Sequence, residues 1–370
     1  MMNAAGTIMT GSGAGFHDEP HDPPTVPVSI IVTTFRRREF VHEAVRSALI
    51  QDAQSDQFEV LVTASGPIPQ IRDLEGAERL QVINVDAANY GQELATGIRA
   101  SRGQVLCLLD DDDAFVRGKV RIVSEVFRTD PRLGFYSNSF DVIDRSGTVL
   151  RDHPFRRRSR QARRALGPVR VEGPGALDDL ARFPPLSPDF NHSSISVRRT
   201  VVDPVLDALE RVPVSADTFL FYAALRAGAG IRLDPAPLTH YRIYGESVSN
   251  PNVEHPDLFL HRLYEHAEKV IASYRIILDM LSGSSPALIH GIEDAIQFEE
   301  VYAVLRNDSK RRRSMWAALR PVLHRQSRYV WKAERPIVPL ALLYLVSPAL
   351  ARRSYLHAKS RELSRAAVAG

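Results

Sequence analysis

Val105-Leu106-Cys107-Leu108-Leu109-Asp110-Asp111-Asp112-Asp113 is the stretch on which the fold turns. Its five apolar residues, unbroken, predict a strand buried on both faces, as in a parallel sheet, and four acids follow with no spacer. The same pattern precedes it. Val28-Ser29-Ile30-Ile31-Val32-Thr33-Thr34 is a continuous run rich in β-branched residues and predicts a first buried strand. Glu39 to Gln51 places apolar residues at 41, 45, 48 and 49, a helical spacing. Phe58–Thr63 and Leu80–Val85 predict two more strands, and Tyr90–Ser101 and Gly118–Arg128 two more helices. Strands alternating with helices imply an α/β fold, doubly wound around a mostly parallel sheet.

Beyond Asp130-Pro131 the alternation loosens. Gly134–Ile143 predicts a strand closed by the turn Asp144-Arg145-Ser146-Gly147, and an arginine-rich loop follows at 156–164. A short strand at Asn191–Val197, a helix from Asp217 to Ala227 and a strand at Leu238–Ile243 complete this half. From His255 onward the pattern is helical, interrupted by prolines at 321, 336, 339 and 348. The expected organisation is a disordered leader over 1–26, a catalytic domain over 27–250 with halves 27–150 and 151–250, and a helical region over 251–370.

The chain has 370 residues, room for one large or two modest domains at about 100–200 residues each. Its single cysteine, Cys107, excludes an internal disulfide framework and favours a reducing compartment. Residues 1–26 contain no Lys or Arg, so no charged targeting region is expected there. No apolar run approaches the roughly 20 residues that span a bilayer. The expectation is a cytoplasmic protein, or one peripheral to the inner face of the membrane.

The acidic run sits where a parallel sheet binds ligands, at the carboxyl end of a strand. Carboxylates crowded on one loop repel one another unless a cation lies between them, and hard oxygen ligands suit Mg²⁺ or Mn²⁺. Such a metal would neutralise a departing diphosphate. The plain alternative is a solvated acidic turn ahead of a helix.

With these motifs in view, Val28 to about Val149 resembles family 2 glycosyltransferases of the GT-A fold. Ser29-Ile30-Ile31-Val32-Thr33-Thr34-Phe35-Arg36-Arg37 is similar to that family's opening strand and nucleotide loop. Asn89-Tyr90-Gly91, Gly97-Ile98 and Ala100-Ser101-Arg102-Gly103 match its spacing ahead of the acidic motif Leu109–Asp113. The resemblance implies a nucleotide-sugar donor met by Thr33, Thr34, Phe35, Arg37, Asn89, Gly91, Asp110 near the ribose, Asp111, and Asp113 beside the sugar. It implies Asp112 as the metal ligand. The segment Ser215-Ala216-Asp217-Thr218 resembles the family's second acidic motif, which implies Asp217 as the general base that deprotonates an acceptor hydroxyl. An N-cap role is the plain reading of Asp217, and the two are compatible. His240, in Leu238-Thr239-His240-Tyr241-Arg242, would complete the metal shell or touch the diphosphate, or else be structural. The acceptor would be a glycan or a lipid-linked glycan, as in polysaccharide biosynthesis.

This chain departs from the family in two places. Where family members carry an acidic pair after the second strand to read the nucleobase, Ala64 and Ser65 stand, so a uracil N–H would meet Ser65 or a backbone carbonyl instead. Ala216 occupies a position where Glu is common. Asn89 and Gly91 also have a plain reading as turn residues before a helix, and Asn191-His192-Ser193-Ser194 could touch a ligand or simply face solvent. The rival functions are a nucleotidyltransferase, disfavoured because Thr33–Arg38 has no glycine, and a non-catalytic sugar-nucleotide-binding module.

Charge is uneven. Net charge is +3, yet residues 306–335 hold ten Lys or Arg against two acids, +8, which leaves −5 for the remainder. Ile337–Ala351 then follows, apolar, with Trp316, Tyr329, Trp331 and Tyr344 in or near it. Aromatic residues among cations suit an anionic membrane surface. A helix packed on the catalytic domain, or a homodimer contact, is the alternative. No nucleic-acid module is present, so no nucleic-acid partner is expected.

Overall fold

The computed structural model describes residues 28–34, 39–54, 56–68, 71, 73–151, 167–173, 175–177, 191–244, 256–307, 312–324 and 337–368. The leader expected over 1–26, Phe35 to Arg38, and the arginine-rich loop at 156–164 lie outside them.

Nine strands form one sheet among these residues. They are β1 (Val28–Thr34), β2 (Phe58–Ala64), β3 (Leu80–Asn84), β4 (Val105–Asp110), β5 (Ala114–Phe115), β6 (Leu133–Ile143), β7 (Val169–Val171), β8 (Ile195–Arg198) and β9 (Gly230–Arg242). The order is β3-β2-β1-β4-β8-β6-β9-β5, with β7 on β9. β1 pairs in parallel with both β2 and β4, and β2 with β3. β8 runs antiparallel between β4 and β6, and β6 is parallel to β9. The fold is therefore α/β around a mixed, mostly parallel sheet, with a parallel half supplied by the first 110 residues.

The apolar runs behave as their composition demands. Ile30, Val32, Val105, Cys107 and Leu109 face one layer of helices, and Ile31, Leu106 and Leu108 the other. The first layer is α1 (Val41–Leu49) and α3 (Lys119–Thr129). The second comprises α2 (Tyr90–Ala100) and α4 (Ala216–Arg226), backed by α5 (Pro256–Met280) and α6 (Pro286–Arg306). A separate apolar cluster binds α7 (Arg312–His324), α8 (Ile337–Val346) and α9 (Pro348–Val368) to α5 and α6. No helix among the described residues is long and apolar enough to cross a membrane.

Two differences from the sequence pattern have local causes. β9 begins at Gly230, eight residues before the expected strand, although Pro235 and Pro237 interrupt it. Proline cannot donate to a ladder, and here the register shifts between Asn138 and Ser139, which carries the chain past Pro235 in a bulge. The strand expected at Asn191–Val197 splits: His192–Ser194 is a 3-10 turn, with β8 after it.

Glycines set how closely α2 approaches its neighbours. A Cβ on Gly97 would stand 2.7 Å from Ile31 Cγ2, so that residue lets the helix lie on β1. A Cβ on Gly91 would stand 2.1 Å from the Leu209 carbonyl oxygen and 2.6 Å from that of Val212, both main-chain atoms. The Gly91 N–H donates to Val212 O at 3.0 Å. Gly91→Ala is therefore expected to destabilise the protein by about 2–4 kcal/mol, because a backbone contact cannot rotate away. Urea unfolding of the two proteins checks this, and a loss under about 0.5 kcal/mol, the usual surface scatter, would contradict it.

Candidate active site

The acidic loop leaves the carboxyl end of β4, beside the end of β1. Thr33 and Asp110 are register partners across the ladder. Three of the four carboxylates converge: ligand oxygens of Asp110, Asp112 and Asp113 all lie within 4.8 Å of one another. An octahedral Mg²⁺ with oxygens at about 2.1 Å places opposite ligands ~4.2 Å apart, so small side-chain rotations would let these oxygens hold a hard divalent ion. Asp111 is buried and His240 lies on β9 opposite Ala114, and neither belongs to the converging group.

Each converging acid is held by a different neighbour. Asp110 Oδ1 accepts from the Tyr90 hydroxyl at 2.7 Å, and that hydroxyl shares a hydrogen bond with Thr33 Oγ1 at 2.9 Å. Enclosure of the Tyr90 hydroxyl, together with the Asp110 carboxylate, holds its ionisation well above the usual phenol range, so it remains a donor. Asp112 Oδ2 accepts from the Tyr244 hydroxyl at 3.1 Å. Asp113 is buried; its Oδ1 accepts from the Arg242 N–H at 2.9 Å and its Oδ2 from Asn191 Nδ2 at 3.3 Å. Burial first, and then the charges of Asp112 and Asp110, raise the Asp113 carboxyl well above the usual carboxylate range. That is the strain a cation between the three would relieve.

Arg242 anchors this loop. Its guanidinium is fully buried, stacks 4.4 Å from the Phe40 ring centroid and pairs with Glu43 at 2.6 Å. Nε donates to Asp112 O at 2.8 Å, and Nη1 donates to the carbonyls of Asp144 and Arg145 at 3.0 Å each. One side chain thus ties the acidic loop to α1 and to the turn after β6.

A second support lies beneath. Ser193 Oγ accepts from the Asp110 N–H at 3.0 Å, while Ser193 O accepts from Lys119 Nζ at 2.6 Å and from Thr239 Oγ1 at 2.9 Å. His192 packs edge-on against Tyr90 with ring centroids 5.2 Å apart, and burial lowers its basicity. The Asn191–Ser194 segment therefore props the acidic loop, with His192, Ser193 and Ser194 buried, rather than facing solvent.

The other expected residues are distributed as follows. Thr33 and Thr34 are buried, and the Thr34 N–H donates at 2.7 Å to Glu93, itself buried on α2. Asn89 caps α2, its side chain accepting from the Gln92 N–H at 2.9 Å. Gly91 serves the close packing described above. Ser65 follows β2 on the same edge of the sheet as Thr34. Phe35 and Arg37 lie outside the described residues. Asp217 is half-buried in the first turn of α4, where Oδ1 accepts from the Thr218 N–H at 2.7 Å. Ser215, not Asp217, is the N-cap residue, at φ 58°, the one non-glycine residue with positive φ among those described. The contact of Gly91 with Val212 brings the approach to α4 against the start of α2, at the same end of the sheet as the acidic loop.

Sequence reading passed over Tyr90, Glu93, Lys119, Arg242 and Tyr244. Two carried a signal: Glu93 and Lys119 are charged residues on helix faces otherwise filled by apolar side chains. Burial lowers Lys119 to about 7, despite the stabilising charges nearby. Between about pH 7 and the ordinary lysine range the unfolded chain binds a proton that the folded one does not, so Lys119 makes stability rise with pH there, by at most ~1.4 kcal/mol per unit. Lys119→Met should lose that slope. Urea unfolding of both proteins at about pH 7 and about pH 9 measures it, and parallel pH dependences would show that Lys119 stays charged in the fold.

Residues 29–177 match the family model described as glycosyl transferase family 2. A curated relative, an uncharacterized glycosyltransferase of Nostoc sp., is 25% identical over 236 residues, which cover 59% of this chain and 65% of the relative, just under two thirds of its length. Among solved structures, Staphylococcus aureus TarS 1–349 in complex with UDP-GlcNAc has a TM-score of 0.44 at 14% identity, covering 86% of this chain and 91% of that one. The mannosyltransferase PcManGT from Pyrobaculum calidifontis, in complex with GDP-Man and Mn²⁺, has a TM-score of 0.46 at 16% identity, covering 92% and 86%. Residues 29–177, the segment that holds β1, β4 and the acidic loop, are thus similar to glycosyl transferase family 2.

Proposed function

We propose that this chain is an inverting, metal-dependent glycosyltransferase that moves a sugar from a nucleotide-diphosphate donor to a hydroxyl of a glycan or lipid-linked acceptor. The observation that carries the reading is the convergence of Asp110, Asp112 and Asp113 at the end of β4, inside the family-matched segment. Asp112 is the assigned metal ligand because it is half-buried within the converging set, whereas Asp113 is buried with both oxygens engaged by Arg242 and Asn191. Asp110, oriented by Tyr90, sits beside the end of β1, where a ribose would lie. Mn²⁺ or Mg²⁺ bound there would supply positive charge to the diphosphate as it leaves. His240, opposite Ala114 on β9 and apart from the three converging acids, is assigned to the metal shell or the diphosphate.

Asp217 is the assigned general base. As the acceptor oxygen bonds to the anomeric carbon and the bond to the diphosphate breaks, its carboxylate takes the hydroxyl proton. Two features support this choice. Asp217 lies in the first turn of α4, half-buried at the carboxyl end of the sheet. The left-handed Ser215 just before it stores backbone strain, on the order of 1–2 kcal/mol, of the kind that gathers at functional sites. Ser65, which follows β2 next to the end of β1, is the residue assigned to the nucleobase.

Asp112→Asn should abolish Mn²⁺-dependent donor binding while the protein stays folded. Calorimetric titration with UDP-, GDP- and dTDP-sugars, with and without Mn²⁺, tests both the role and the nucleobase; unchanged affinity in the folded variant would remove Asp112 from the metal site. Asp217→Asn should leave donor affinity nearly untouched and lower transfer by on the order of 10²–10⁴-fold. Wild-type turnover in that variant would place the base elsewhere.

A further inference from the structure

The C-terminal helices bury one apolar set and present another. Met315, Leu319, Ala341, Tyr344, Ala351 and Tyr355 fill the cluster that joins α7, α8 and α9 to α6. Of six large apolar side chains that stand exposed among the described residues, five lie outward on these same helices: Trp316, Leu323, Leu342, Val346 and Leu350. Val346 is 74% exposed and Trp316 51%.

Their arrangement is ordered. Arg312, Trp316, Arg320 and Leu323 follow at intervals of four, four and three, so they share one side of α7. Leu342 and Val346 are four apart on α8. Arg312 donates to Val346 O at 2.8 Å, which joins the start of the first row to the end of the second. Arg312, Arg313, Arg320 and Arg353 are exposed, and residues 312–324 and 337–359 contain no Asp or Glu. These two segments therefore alternate aliphatic, indole and guanidinium groups with no carboxylate among them.

We propose that this surface docks on a lipid bilayer containing anionic phospholipid, with Trp316, Leu342 and Val346 entering the boundary between headgroups and acyl chains. Indole and aliphatic groups are stable at that depth, and the surrounding arginines meet the phosphate charge that the protein does not supply. A second copy of the chain fits less well. A two-fold interface brings a patch against itself, so the exposed arginines of 312–324 and 337–359 would face their own copies, with no carboxylate in those segments to pair with. The inference is independent of the catalytic reading and would hold if Asp112 and Asp217 had other roles.

Flotation of the full chain tests it, with vesicles of phosphatidylcholine alone and of phosphatidylcholine mixed with phosphatidylglycerol, at low and high salt. The protein should float with the anionic vesicles, less at high salt without losing binding altogether, and stay in solution with the neutral ones. The double variant Trp316→Ser/Val346→Ser removes only outward side chains and should weaken binding on the order of tenfold or more, with unchanged circular dichroism and melting. Trp331→Phe leaves Trp316 as the sole tryptophan, and its emission should shift to the blue on addition of anionic vesicles. Absence of flotation under every condition, or an unshifted Trp316 emission, would overturn the proposal. So would a concentration-dependent dimer in solution that the double variant dissolves, which would give the surface to a second copy.

Discussion

A buried guanidinium and the carboxylates above it form the constraint on which this structure depends. Four consecutive aspartates would repel one another and splay into solvent if nothing held them. Arg242, at the end of the longest strand, holds the loop at two levels: its main chain binds the Asp113 carboxylate and its side chain binds the Asp112 carbonyl. Because the same guanidinium also stacks on Phe40 and pairs with Glu43, the position of α1 and the geometry of the acids are linked. Arginine suits the position because its planar fork makes several directed hydrogen bonds at once, which a lysine ammonium could not reproduce.

Around that anchor the site is built from parts that each serve the fold as well. Tyr90 opens α2, joins the end of β1 to Asp110 and rests on His192. Ser193 carries the Asp110 amide on one side and the buried amino group of Lys119 on the other. Gly91 lets the main chain ahead of α4 approach α2, so that Asp217 and the acidic loop, about a hundred residues apart, share one end of the sheet. A chemistry that needs acids from both halves of a chain needs this sort of close, side-chain-free contact between them.

The C-terminal helices obey a different rule. They pack on α6 through one face and keep a cationic, partly apolar face outward. An enzyme whose acceptor is lipid-linked would gain from residence at the bilayer, since diffusion in a plane replaces diffusion in volume. The sheet that carries the acidic loop and the outward face are contributed by separate parts of the chain, which lets either change without the other.

The sequence by itself determined the strands of the parallel half and the location of the acids. An unbroken β-branched run such as Val28–Thr34 or Val105–Leu109 can be satisfied only by burial on both faces, and the chain obeys. The resemblance carried by the motifs around Asp110–Asp113 agrees with the family model that matches residues 29–177. Local patterns could not report β8 running antiparallel between β4 and β6, because pairing partners are chosen by contacts between segments distant along the chain. They also could not separate Asp111, buried apart, from its three converging neighbours, since consecutive residues with identical side chains look alike until the loop is bent. The roles of Arg242 and Tyr244 were invisible for the same reason: each acts on Asp112, about 130 positions away, and only the tertiary structure brings them together.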